Sequence, residues 1–80
     1  MQYIIKLDTI KKVKDFCDAA EKINIDVYVQ QEEYIVLARS IMGIFSLNLL
    51  DECELVIPND AKVGEIADFI AELKLKDLIK

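Results

Sequence analysis

Tyr34-Ile35-Val36-Leu37-Ala38-Arg39-Ser40-Ile41-Met42-Gly43-Ile44-Phe45-Ser46-Leu47 carries the chain from an apolar strand into a capped helix start, and the rest of the fold is organised around that passage. Tyr34 to Ala38 is β-branched and aromatic, as a strand requires. Ser40 to Leu47 is too short for a long helix but suits two turns, with the Ser40 hydroxyl as N-cap. Gly43 inside those turns costs roughly 1 kcal/mol relative to Ala, which predicts that another group approaches its backbone closely. Ile41, Met42 and Phe45 fall on one side of the helix and Ile44 and Leu47 on another. A helix lying on a sheet buries only about half its circumference, so one of these groups is expected to face solvent.

Upstream, Tyr3 to Leu7 predicts a first strand. Asp8-Thr9 offers an N-cap to an amphipathic helix of about four turns, in which Ile10, Val13, Phe16, Cys17, Ala20 and Ile23 recur at spacings of three and four. Ile25, Val27 and Val29 alternate with polar or amphipathic neighbours, the period of a strand with one buried face. Gln30-Gln31-Glu32-Glu33 is a polar break, so this strand and Tyr34 to Ala38 are expected to form a hairpin. Its turn type stays open for want of an Asn-Gly pair. Downstream, Glu52 to Ile57 predicts a fourth strand closed by Pro58. Asn59-Asp60 is expected to cap a last helix with Val63, Ile66, Ala67, Ile70 and Leu73 on one face, and Leu75 to Ile79 extends or follows it. The predicted order is β-α-β-β-α-β-α. Such mixing in so short a chain favours an α+β domain with one antiparallel or mixed sheet, covered on one face by helices.

The composition is that of a single folded domain. The chain has 80 residues, 54% of them hydrophobic and 31% charged. A chain of this length buries only about 60% of the surface its unfolded form exposes, so every apolar face needs a partner. The net charge of −5 disfavours direct binding to nucleic acid or to an anionic membrane surface. No apolar run approaches the roughly 20 residues that span a bilayer, and Met1 to Lys6 lacks a signal-peptide layout, so a cytoplasmic location is expected. Cys17 and Cys53 have neither zinc-site nor redox-motif spacing, and with no histidine in the chain we expect no metal site and two buried, reduced thiols. There is no phosphate-binding Gly-rich loop, no nucleophile elbow and no Cys-His pair, so no cofactor and no catalysis are expected.

Ser40-Ile41-Met42-Gly43, followed by Ile44, Phe45, Ser46 and Leu47, resembles the HPr family, the small phosphocarrier proteins of the sugar phosphotransferase system, and above all those of Gram-positive bacteria. The resemblance is densest from Tyr34 to Leu49 and architectural elsewhere. It implies an open-faced sandwich of four antiparallel strands under three helices, formed by residues 1–80 as one domain. In that family the serine matching Ser40 is phosphorylated by an ATP-dependent kinase, and the residues matching Ile41, Met42 and Phe45 form the docking surface for partner proteins. The serine-phosphorylated form acts as a corepressor for a carbon-catabolite transcription factor. An ungapped count back from Ser40 puts Thr9 where the family carries its phosphorylated histidine. Lys11 matches the family's arginine there only in charge, and Lys12 replaces its proline. A phosphate ester on Thr9 would be too stable to pass on, so the resemblance is to a carrier that has lost its carrying residue.

Each candidate site residue has a plainer reading beside the functional one. Ser40 is a phosphoacceptor or simply an N-cap. Ile41, Met42 and Phe45 form a docking patch or are covered by the chain's own tail. Lys11, Lys12 and Arg39 make a positive spot for an acidic partner or a phosphate, or they are cations on a solvated face. Two functions follow. One is a regulatory, protein-binding HPr relative switched at Ser40, with an HPr-type serine kinase and a catabolite-control transcription factor as the implied partners. The other is an unphosphorylated structural or assembly module, a homodimer or other homo-oligomer formed through the same apolar patch.

Overall fold

The computed structural model describes residues 2–79. The elements are β1 (Gln2–Ile5), α1 (Ile10–Glu21), β2 (Tyr28–Gln31), β3 (Tyr34–Leu37), α2 (Ile41–Phe45), β4 (Cys53–Val56) and α3 (Val63–Leu75), in the predicted order. The strands form one sheet in the order β1-β4-β2-β3, every neighbouring pair antiparallel. The register aligns Tyr3, Leu55, Val29 and Val36 in one row across the sheet. Val29 and Leu55 of that row join Val13 and Phe16 of α1, Ile44 of α2 and Leu73 of α3 in a single core. The fold is thus the expected α+β open-faced sandwich, with the helices on one face of the sheet.

Helix α1 starts where Thr9 caps it, the threonine Oγ1 accepting from the Lys12 N–H at 3.1 Å. It is shorter than its stripe suggests, since Ile23 lies beyond its end and packs at the rim of the core. Ile10, expected in the stripe, is exposed. A helical side chain lies over the turn N-terminal to its own Cα, so the first residue of a helix projects past the core edge. The same correction applies to Val63 at the start of α3, while Ala67 flanks a buried stripe made of Ile66, Phe69, Ile70 and Leu73. Phe69, absent from the expected face, sets its ring 6.2 Å from that of Phe16 and joins α3 to α1. Asn59 and Asp60 do not cap α3. They lie in a turn closed by the Ala61 N–H on the Pro58 carbonyl, and the helix begins after Lys62, which makes no side-chain cap bond.

The polar break between β2 and β3 is also narrower than expected. Gln30 and Gln31 belong to β2, and only Glu32 and Glu33 turn the chain, with Glu32 in the left-handed region at φ 55°. Gln31 is tolerated at the strand end because Asn48 satisfies it twice. The Asn48 N–H donates to its Oε1 at 2.8 Å, and its Nε2 donates to the Asn48 carbonyl at 2.7 Å. Helix α3 stops in a Schellman motif with Asp77, not glycine, in the left-handed position at φ 59°. The Leu78 N–H reaches the Leu73 carbonyl at 2.9 Å, which buries Leu78 and lets Ile79 bridge to Ile5 on the β1 edge.

Cys17 and Cys53 are buried and free, as expected. Burial, helped by the charges of Glu21 and Asp18, pushes the Cys17 thiol up to about 11, and burial also raises that of Cys53. At pH 8 both are therefore protonated as well as shielded. We expect neither to react with an aromatic disulfide reagent in the folded protein and both to react fully in denaturant. Rapid labelling of either thiol in the native state would contradict this burial.

Candidate functional site

The site is built at the junction of β3 and α2. The Ser40 N–H donates to the Leu37 carbonyl at 3.1 Å, which ends the strand, and the Ser40 carbonyl accepts from the Ile44 N–H at 3.0 Å, which starts the helix. The Ser40 Oγ accepts from the Gly43 N–H at 3.2 Å, so the hydroxyl is the predicted N-cap. Gly43 is small because the space is taken. A Cβ there would meet the Ser40 Oγ and the Val36 Cβ, each at 3.1 Å, tighter than ordinary contact. The Ser46 hydroxyl donates back to the Gly43 carbonyl at 2.6 Å and closes the last turn.

This short helix divides its apolar residues sharply. Ile44 is fully buried and Leu47 nearly so, while Met42 is 78% exposed, Phe45 42% and Ile41 36%. The tail of the chain packs elsewhere, on Leu73 and Ile5, and leaves this side of α2 open. Three adjoining apolar side chains in solvent, beside a half-buried serine hydroxyl, make a contact surface of the kind used between proteins. Met42 adds an unbranched thioether that can adapt to a partner's shape.

The expected positive spot takes a different form. Lys11 is paired with Asp15 at 2.9 Å, Lys12 with Asp8 at 3.2 Å, and Arg39 with Asp26 at 2.6 Å. Hydrogen bonds from Lys12 and Lys11 hold the Asp8 and Asp15 carboxyls below their ordinary range. These three cations are therefore locally balanced by carboxylates that lie one helical turn away or, for Asp26, just before β2. The i,i+4 spacing of Asp8 to Lys12 and Lys11 to Asp15 was visible in the sequence, whereas Asp26 reaches Arg39 only through the hairpin. Thr9 is exposed, and its hydroxyl is committed to the α1 cap.

Two further surfaces were not legible in the sequence. Tyr28, Gln30, Ile35 and Val56 line an apolar hollow of about 270 Å³ on the sheet face away from the helices. A groove of about 530 Å³ runs along α3, between Tyr3, Pro58, Ile66 and Ile70, with Lys74 at its margin. Among the described residues no group of three or more Cys, Asp or Glu could hold a metal ion, and no helix is long and apolar enough to cross a membrane.

No family model and no curated protein matches the sequence. Solved structures do match the fold. The chain is similar to HPr-C-His from Thermoanaerobacter tengcongensis, with a TM-score of 0.72 and 22% identity over 95% of this chain and 93% of that one. It is similar also to the phosphocarrier protein HPr from Bacillus anthracis str. Ames, with a TM-score of 0.64 and 17% identity over 90% of this chain and 94% of that one. The polypeptide of 80 residues thus takes up the HPr fold over nearly its whole length, and it does so without a histidine.

Proposed function

We propose that this chain is an HPr-like regulatory protein, related to the sugar phosphotransferase system but with no carrier chemistry or catalysis of its own. It works in the cytoplasm by docking on protein partners through Ile41, Met42 and Phe45, and phosphorylation of Ser40 is its switch. The observation that carries this reading is the open apolar side of α2 beside the Ser40 cap, in a chain that has no histidine. The HPr fold adds support, since it ties the chain to proteins that work by contact with other proteins. A phosphate on Ser40 would bring about −1.5 to −2 charges to the edge of the patch and change what it can bind. The partners that fit are an HPr-type serine kinase and, for the phosphorylated form, a catabolite-control transcription factor.

A serine kinase acting on HPr in a Gram-positive bacterium provides the probe. Titrated into isotope-labelled protein, it is expected to shift amide resonances of 40–47 first. Met42→Asp is expected to weaken this binding at least tenfold while leaving the spectrum of the rest of the domain unchanged. Binding that is indifferent to Met42→Asp, or that maps to another face, would contradict the docking role.

A further inference from the structure

We propose that the groove along α3 binds a small amphipathic carboxylate, an apolar acid whose body lies between α3 and β1 and whose anionic end is held by Lys74. The groove exists because of what α3 lacks. The helix lines it with Ala67 and Ala71, exposed residues with no side chain beyond Cβ, so nothing of this chain fills the space over the buried Ile66 and Ile70. Tyr3 of β1 lines it from the sheet, and Pro58 and Ala61 line it from the loop before α3. Its volume of about 530 Å³ falls within the roughly 300–1,000 Å³ of small-molecule pockets. From Val63 to Lys74 the helix wall runs roughly 16 Å, at about 1.5 Å per residue, which gives room for an extended chain.

The charge on this wall selects the sign of the ligand. Among the described residues Lys74 is the one ionised group that lines the groove. The acid two residues before it, Glu72, is taken by Lys22 and Lys76. One turn back, where a carboxylate would pair with it, stand Ile70 and Ala71, and Asp77 three residues on lies past the end of the helix. Lys74 therefore makes no ion pair among the described residues, in a chain whose net charge is −5. One ammonium at the end of an apolar trough fits one carboxylate and repels a cationic amphiphile. A phosphate, which draws several charged donors, finds only this one.

Apolar burial against Ile66, Ile70 and Tyr3 supplies the attraction, and the ammonium supplies the orientation. A bound polypeptide would need its backbone groups met, and the β1 edge at Ile5 and Lys6 is already spent on the chain's own end. The groove shares no residue with Ile41, Met42 and Phe45, so this site stands apart from the surface on α2.

Decanoate, titrated below its micelle concentration into the isotope-labelled whole chain, tests this. Amides of Tyr3, Ala61 and 66–74 are expected to shift saturably, with a dissociation constant of about a millimolar or below, as suits a ligand of this size. Decyltrimethylammonium is expected to bind about fivefold more weakly. Ala71→Leu fills the trough and is expected to weaken decanoate about tenfold. Lys74→Glu is expected to reverse the preference, so that the cationic amphiphile binds more tightly. Both positions are exposed, and the circular dichroism of each variant is expected to match the wild type. Should Lys74→Glu misfold, Lys74→Gln is expected to abolish the discrimination between the two amphiphiles. The absence of any saturable shift, equal affinity of the wild type for both amphiphiles, or binding untouched by Ala71→Leu would each overturn the proposal. So would shifts that map to the hollow between Tyr28 and Ile35, or a dimer seen in sedimentation that closes the groove and that decanoate does not perturb.

Discussion

Ile44→Ala is expected to lower the stability of the domain by about 2–5 kcal/mol, while Met42→Ala, two residues away on the same short helix, is expected to change it by less than about 0.5 kcal/mol. Ile44 is fully buried in the core, where truncation removes apolar contact and leaves a cavity that packed neighbours fill only in part. Met42 is mostly in solvent, so its removal exposes nothing new. The contrast separates the structural side of α2 from the side offered to partners. Set against a typical domain stability of about 5–15 kcal/mol, the Ile44 loss is a large fraction, and urea unfolding of the two variants would resolve it easily. Equal destabilisation would mean that Met42 is packed in solution and that the open patch does not exist.

Phe16→Ala is expected to cost about 3–5 kcal/mol, a large fraction of an ordinary domain stability of about 5–15 kcal/mol, and to lower the midpoint of thermal unfolding accordingly. Phe16 has no exposed surface, and its ring stands 6.2 Å from that of Phe69 at an interplanar angle of 51°, a tilted pair that joins α1 to α3. Beside this contact Glu72 takes together Lys22 and Lys76, the residues that cap the C-terminal ends of α1 and α3. Burial raises the Glu72 carboxyl, but the hydrogen bonds of the two lysines outweigh it and hold the group below its ordinary value. The rim pairs are too exposed to replace the lost ring. Phe16→Leu, which keeps most of the volume, is expected to lose less than half as much when the two variants are compared by thermal unfolding.

Much of this architecture was legible because it depends on local pattern. The Ser40 and Thr9 caps, the β-branched strands and the spacing of Val13, Phe16, Cys17 and Ala20 are all set by neighbours within a turn or two. The tight space at Gly43 was inferred from the cost of a glycine inside a helix, and Ser40 and Val36 account for it. What escaped depends on distant partners. Gln31 continues a strand because Asn48, 17 residues later, satisfies it. Lys62 precedes α3 without a side-chain cap, so no residue marks the start, and the better capping residues Asn59 and Asp60 are spent on a turn. Ile10 and Val63 match the helical period yet sit in solvent, because periodicity gives a direction around a helix and not the point along it where the core ends. That β3 lies at an edge of the sheet follows from the strand order β1-β4-β2-β3, which no local signal encodes.

The central claim, an HPr fold that carries a serine switch in place of a carrier histidine, is tested most directly by intact mass. The purified protein is incubated with ATP and an HPr serine kinase from a Gram-positive bacterium, beside Ser40→Ala. That variant loses about 1 kcal/mol of capping and is first checked to be folded. The account predicts a gain of one phosphate on the wild type and none on Ser40→Ala. An unmodified wild type, or an equal gain on the variant, would contradict it.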